Sequence, residues 1–145
     1  MSRDVTPEVV IPFVQHLGIH THTPTATALL PDRSALSNHV GTVHAGAIFT
    51  AAETATGQEI LRLLTTYPVA AIPVVRSASI RDRAPATGTI SARATTVLSH
   101  DELAVDIERH GRATRSIDAA VTALDGTLVA EATIEWVFLG DAQPS

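Results

Sequence analysis

The sequence predicts an α+β protein built on an antiparallel sheet. Three observations carry that expectation. One long helical segment, about 45–65, is followed by strand-like segments that succeed one another instead of alternating with helices. Their apolar residues recur with a period of two. Asp125-Gly126, between the last two of these runs, is a strong hairpin signal. The 145 residues are expected to form one domain over 1–145, large enough for a core without staples.

The first element expected is a short helix over about 7–17. Phe13, Val14 and Leu17 share a face, Pro12 suits a first-turn position and Gly18 a stop, with Pro7 as a competing start. Residues 25–31 alternate, Ala26, Ala28 and Leu30 to one side, as a strand does. Residues 32–43 read as a polar loop. The central helix, about 45–65, has no proline and carries many small residues (Ala47, Ala51, Ala52, Ala55, Gly57), which let a sheet approach closely; Tyr67-Pro68 closes it.

Beyond it the main sheet is expected over about 71–139. The first strand, 71–81, places Ile72, Val74, Ala78 and Ile80 on one face, and Pro73 confines it to an edge or to its first residues. Residues 87–98 put Ile90, Ala92, Ala94 and Leu98 together. Ser99-x-x-Glu102 is a capping-box pattern and Gly111 a stop, which favours a short helix at about 100–110. Val105 with Leu103 and Ile107 also alternates as a strand would. Residues 113–124 align Ile117, Ala119, Val121 and Ala123. Residues 127–138 align Leu128, Ala130, Ala132, Ile134, Trp136 and Phe138 on a face expected to be buried.

Composition excludes several function classes. There is no cysteine, hence no thiol nucleophile, thiolate metal site or disulfide. Lysine is absent, which removes Schiff-base chemistry and the usual anchor for pyridoxal phosphate. A net charge of −5 and 3% aromatic residues argue against nucleic acid as a partner. No apolar run is long enough to span a bilayer and Met1 to Thr6 lacks a signal core, so no membrane association and a cytoplasmic location are expected. Gly-x-Ser-x-Gly, His-Glu-x-x-His and phosphate-binding glycine loops do not occur. His20, His22, His39 and His44 lack a matching carboxylate or cysteine pattern, so no metal is expected.

The chemistry is concentrated in the stretch from Asn38 to Glu53. A Gly-containing turn leads into the helix, where free backbone N–H groups and the helix dipole favour negative charge. Such a place stabilises a carbonyl oxygen as it gains charge. Asn38 and His44 flank the turn as donors or acceptors. Glu53 lies two turns into the helix among Ala and Thr, with no Lys or Arg three or four positions away. A carboxylate so placed is a candidate for a raised pKa and general-base work. The competing reading is a solvated helix glutamate and a capping histidine.

The stretch resembles the signature of hotdog-fold thioesterases of the phenylacetate-pathway (PaaI-like) type. There an Asn precedes a Gly, His-Gly-Gly opens the central helix, and an Asp or Glu follows nine residues after the His. Here Asn38 stands six before His44 and Glu53 nine after it, and Phe49 falls where that family often has an aromatic. The likeness extends over residues 12–139, including Leu17-Gly18-Ile19 and the Arg81-to-Gly88 turn. The resemblance implies a hotdog fold, a curved antiparallel sheet wrapped around the central helix. It implies hydrolysis of acyl-CoA or a related thioester, with coenzyme A as part of the substrate and no other cofactor.

Carried over by position, Glu53 activates water or attacks the thioester carbonyl. The Gly46 N–H, with Ala45, forms the oxyanion hole. Asn38 and His44 orient water or thioester, Phe49 borders the substrate, and Arg81 and Arg83 meet the coenzyme A phosphates. Two protomers set their sheets side by side with the site between them, in a homodimer or a dimer of dimers. Two departures stand out: Ala45 replaces the first glycine of His-Gly-Gly, and the segment about 100–110 is an insertion typical of a divergent branch. The alternative is a non-catalytic hotdog module that binds an acyl group, acyl-CoA or a protein partner.

Overall fold

The structure, a computed structural model, describes residues 10–140. Helix α1 (Pro12–Leu17) leads into strands β1 (His20–His22) and β2 (Thr27–Leu30). Helix α2 (Ala45–Thr66) follows, then β3 (Ala71–Asp82), β4 (Ile90–Ala94), helix α3 (His100–His110), β5 (Arg112–Ala123) and β6 (Leu128–Gly140). One six-stranded sheet takes the order β1-β2-β4-β5-β6-β3, with every neighbouring pair antiparallel. The sheet curves around α2, which is the hotdog arrangement.

α2 is buried on most of its circumference, which its small residues permit. Ala51, Ala52 and Ala55 touch the sheet where Leu30, Ile90, Ala92, Val121 and Ile134 form the floor of one core cluster. Its buried threonines do not waste their hydroxyls: Thr50 donates to the Gly46 carbonyl at 2.8 Å and Thr54 to the Thr50 carbonyl at 2.6 Å. Gly57 interrupts this pattern in mid-helix, at a cost of about 1 kcal/mol relative to alanine.

A second cluster joins Ile60 and Leu63 to Leu103, Ile117 and Phe138, so α3 seals the sheet beside the C-terminal half of α2. The helical reading of 100–110 therefore holds over the strand reading. Gly111 closes α3 at φ 75°, but Ser99 only marks its start, since the side-chain capping bond is not made.

Pro12, not Pro7, opens the first helix, and Gly18 ends it at φ 75°; residues 7–9 lie outside the described residues. The strand expected at 25–31 is shorter, and β1 precedes it across a 3-10 turn at Thr23–Thr25. Nothing in His20-Thr21-His22 signals a strand, because all three side chains are exposed and the pairing is through backbone alone.

β3 is an edge strand, as Pro73 requires. Its face pattern differs from the expected one. The register shifts between Val75 and Ser77, so Arg76 is an extra residue that turns the strand over. Ala78 and Ile80 pair with the core-facing Ile134 and Ala132, whereas Ile72 and Val74 fall on the opposite face and are exposed. On β6 the expected face is met: Phe138 is fully buried, and Trp136 packs against both core clusters. The β5–β6 hairpin turns at Asp125-Gly126, where Gly126 has φ 90° and the Thr127 N–H donates to Asp125 Oδ1 at 2.9 Å.

Candidate active site

The approach to α2 is organised by Asn38. Its Oδ1 accepts from the N–H groups of Val40 and Thr42, each at 3.0 Å, and its Nδ2 donates to Thr42 Oγ1 at 2.7 Å. The Asn38 N–H also donates to the Thr42 carbonyl, at 2.8 Å, and Gly41 turns the chain at φ 80°. Both ends of this side chain are thus committed to holding the loop.

His44 is the N-cap of α2. Its Nδ1 accepts from the Gly46 N–H at 2.8 Å, which fixes the proton of the neutral ring on Nε2. Its carbonyl takes the N–H groups of Ala47 and Ile48. A methyl group at Gly46 would lie 3.0 Å from His44 Nδ1, so the ring's close approach favours glycine there. Among the described residues the Ala45 N–H has no acceptor. The first turn therefore offers one unclaimed donor, Ala45, and one held by the imidazole, Gly46.

Glu53 lies seven residues beyond Gly46, on nearly the same stripe of α2 and about 10 Å further along its axis. It is half-buried. Among the described residues its carboxylate has no ion pair and no hydrogen-bond donor. Burial without compensation pushes its pKa above the ordinary glutamate value.

The carboxylate borders a cleft of about 530 Å³. Ile60, Leu61 and Leu64 of α2 form one wall, Pro73 and Trp136 of the sheet another, and Phe13 and Val14 of α1 the rim. The Trp136 indole is pinned, with Nε1–H donating at 3.0 Å to Thr56 Oγ1, which itself donates to the Glu53 carbonyl at 2.7 Å.

One chain does not bring all the expected residues together. Asn38 and Ala45 border a separate depression of about 340 Å³, shared with Ile48 and Arg83. Arg81 and Arg83 meet on the sheet's outer face beside Asp118 and Glu131. There Arg83 pairs with Glu131 through Nη2 at 2.7 Å, while Arg81 makes no ion pair among the described residues. Phe49 is half-buried against the core and does not line the Glu53 cleft.

Two features of this neighbourhood escaped the sequence. Glu59, only 2% exposed, receives Arg62 through Nε and Nη2 at 2.7 and 2.8 Å and the Leu98 N–H at 2.9 Å. Its spacing to Arg62 was visible, but the backbone partner was not. Gln58, on the cleft, accepts from Thr23 Oγ1 at 2.6 Å, tying α2 to the turn after β1.

Proteins of known structure share the fold. Protein PA5026 of Pseudomonas aeruginosa, described as a probable thioesterase, is 29% identical over 96% of this chain and 93% of its own, with a TM-score of 0.76. BH2602 of Bacillus halodurans, solved with CoA, is 20% identical over 90% of this chain and 78% of its own, TM-score 0.70. A point mutant of the phenylacetic acid degradation protein PaaI from Thermus thermophilus is 24% identical over 89% of this chain and 99% of its own, TM-score 0.63. The hotdog fold is thereby shown, and the neighbours that share it include proteins described as thioesterase-type. No curated protein sequence matches the chain. A family model matches residues 9–138, and the chain belongs to that family, described as a domain of unknown function, DUF4442.

Proposed function

We propose that the chain hydrolyses acyl-CoA or a related thioester, with Glu53 as the catalytic carboxylate. One observation carries this reading: Glu53 is half-buried beside an apolar cleft and unpaired among the described residues. A glutamate meant only for structure would be paired or solvated. A raised pKa suits a group that accepts a proton near neutral pH.

In the proposed reaction Glu53 takes a proton from water as its oxygen attacks the thioester carbonyl. The charge that develops on the carbonyl oxygen is met by the Ala45 N–H and by the Gly46 N–H, whose bond to His44 gives way to the stronger acceptor. The C–S bond then breaks, the thiolate takes the proton back from Glu53, and a carboxylic acid remains. Direct attack by Glu53, giving an anhydride that water opens, needs the same donors. The N-terminal donors and Glu53 border separate depressions, which supports a site completed by a second copy, in a homodimer or dimer of dimers. The exposed Ile72 and Val74 on edge strand β3 suit such pairing. Arg81 and Arg83 are proposed to meet the coenzyme A phosphates, a role consistent with CoA bound in BH2602.

The alternative, a non-catalytic module that binds an acyl group, acyl-CoA or a protein, draws on the commitment of Asn38 to its own loop and of the Gly46 N–H to His44. Steady-state hydrolysis of short, medium-chain and aryl acyl-CoAs by wild type and Glu53→Gln decides between them. The hydrolase reading requires activity in wild type and its loss in Glu53→Gln. Wild-type inactivity on every thioester leaves the binding module.

A further inference from the structure

We infer that Thr56 and Trp136 position Glu53: a chain of two hydrogen bonds from the sheet fixes the turn of α2 that carries the carboxylate. The inference rests on the reading of Glu53 as the catalytic group. α2 meets the sheet through apolar contact at Ala51, Ala52 and Ala55. Such packing stabilises the helix but is non-directional, so it does not by itself fix the helix's rotation or height. Among the described residues a single side-chain hydrogen bond joins α2 to a strand, from Trp136 Nε1–H on β6 to Thr56 Oγ1 at 3.0 Å. Gln58 and Glu59 also bond outside the helix, but to the 3-10 turn at Thr23 and to the Leu98 N–H, neither of which lies in a strand.

The bond falls within one turn of the carboxylate. Thr56 Oγ1 accepts from the indole and donates to the Glu53 carbonyl at 2.7 Å, so the chain runs unbroken from β6 to the Glu53 backbone. A hydroxyl that accepts one bond donates a stronger one. Thr50 and Thr54 differ, because their hydroxyls bond back to their own helix and reach no strand among the described residues. Thr56 is fully buried and does not border the cleft, so neither water nor substrate reaches it there. The Glu53 carboxylate has no partner of its own among the described residues, and its placement therefore depends on its backbone. A group that takes a proton from attacking water must stand within hydrogen-bond reach of it, and a misplacement of about 1 Å can cost about 10²-fold in rate.

The test is steady-state hydrolysis of short, medium-chain and aryl acyl-CoAs by Thr56→Val, Thr56→Ser and Trp136→Phe, with thermal melts and a fluorescence titration beside it. Valine is close to threonine in shape but cannot carry the chain; serine can. Because Thr56 does not border the cleft, Thr56→Val should leave KM near wild type and lower kcat by about 10- to 100-fold per folded molecule. Thr56→Ser should keep kcat close to wild type. Trp136→Phe keeps an aromatic ring in the cleft and should lose kcat as Thr56→Val does. The double variant should lose little more than either, as members of one chain do.

Trp136 is the only tryptophan in the chain, which gives a readout free of catalysis. Glu53 is the one ionisable side chain among the described residues that line the cleft, so its ionisation should appear as a step in the indole emission. That step should vanish in Glu53→Gln, stay in place in Thr56→Ser, and move to lower pH in Thr56→Val, where a loosened turn lets water reach the carboxylate. A kcat that holds in Thr56→Val while its melt falls, or an emission that ignores both Glu53→Gln and Thr56→Val, would overturn the inference. If Thr56→Val fails to fold, Trp136→Phe set against Thr56→Ser carries the comparison. An emission step that behaves as stated, without hydrolysis of any acyl-CoA by wild type, would sink the hydrolase reading and leave the tie between Glu53 and β6 standing.

Discussion

Two glutamates six residues apart on α2 have opposite surroundings. Glu59 is buried with both oxygens engaged: Arg62 holds both, and one of them also takes the Leu98 N–H. Glu53 is half-buried and has none of this. The first arrangement stabilises a fixed charge and ties α2 to the segment that enters α3. The second leaves a carboxylate with unspent capacity next to an apolar cleft. The difference lies in the partners that the fold supplies, not in the helix or the residue type, and it separates a structural carboxylate from one able to do chemistry.

Substitution can break this contrast. Glu53→Gln keeps volume and hydrogen-bonding shape but cannot accept the proton, so thioester hydrolysis should fall by about 10² to 10⁴. The same variant should melt no lower than wild type. Its sign follows from linkage: burial raises the Glu53 pKa in the folded state, so whatever Glu53 adds to stability is present below the unfolded pKa and lost as pH rises through the folded one. Wherever it is ionised in the folded protein, Glu53 is therefore a liability that glutamine removes. The acid limb of the kcat/KM profile should correspondingly lie above the ordinary glutamate pKa in wild type. A limb at the ordinary value, or retained activity in Glu53→Gln, would count against the assignment.

Glu59→Ala should do the reverse. It strands the Leu98 N–H and unpairs Arg62, whose side chain is one-third exposed and can partly rehydrate. A loss of about 2–4 kcal/mol by denaturant titration is expected. Any effect on catalysis should track the fraction unfolded. His44→Ala is the smallest of the three. It removes a helix cap, worth about 1 kcal/mol, while freeing the Gly46 N–H. A modest loss of stability with an activity between wild type and Glu53→Gln would fit an imidazole that orients the first turn of α2 and the reacting groups. An activity loss as complete as that of Glu53→Gln would give the imidazole a larger part than positioning.

Much of this contrast could be read from the sequence on the Glu53 side and little on the Glu59 side. Glu53 stood out through its distance from His44 and the absence of helical partners, both one-dimensional properties. Glu59 depends on Leu98, which lies 39 residues away and contributes a backbone group that no side-chain pattern announces. The fold divides similarly. α2 and the β5–β6 hairpin were legible because periodicity and a two-residue turn encode them locally. β1 was not, since its ladder uses backbone groups under exposed polar side chains. The faces of β3 were misassigned at Ile72 and Val74 because one extra residue, Arg76, reverses an alternation that otherwise looks continuous. At the site, the spacing of Asn38, His44 and Glu53 was visible, but not that Asn38 and the Gly46 N–H are already engaged.

The hairpin at Asp125-Gly126 also has a kinetic consequence. It joins β5 and β6, both interior strands, so a ladder of eleven residue pairs is closed by a connection of only four residues. Closing so short a loop carries little entropic penalty, and the pair can form before any long-range contact exists. β3 must instead reach β6 across more than forty residues, and β1 attaches last through three residue pairs. The expected order of assembly is hairpin first, α2 docking onto it with β4, and the two edges afterwards. Pulse-labelled hydrogen exchange should find amides of β5 and β6 protected earliest and those of β1 latest; simultaneous protection of all strands would contradict that order.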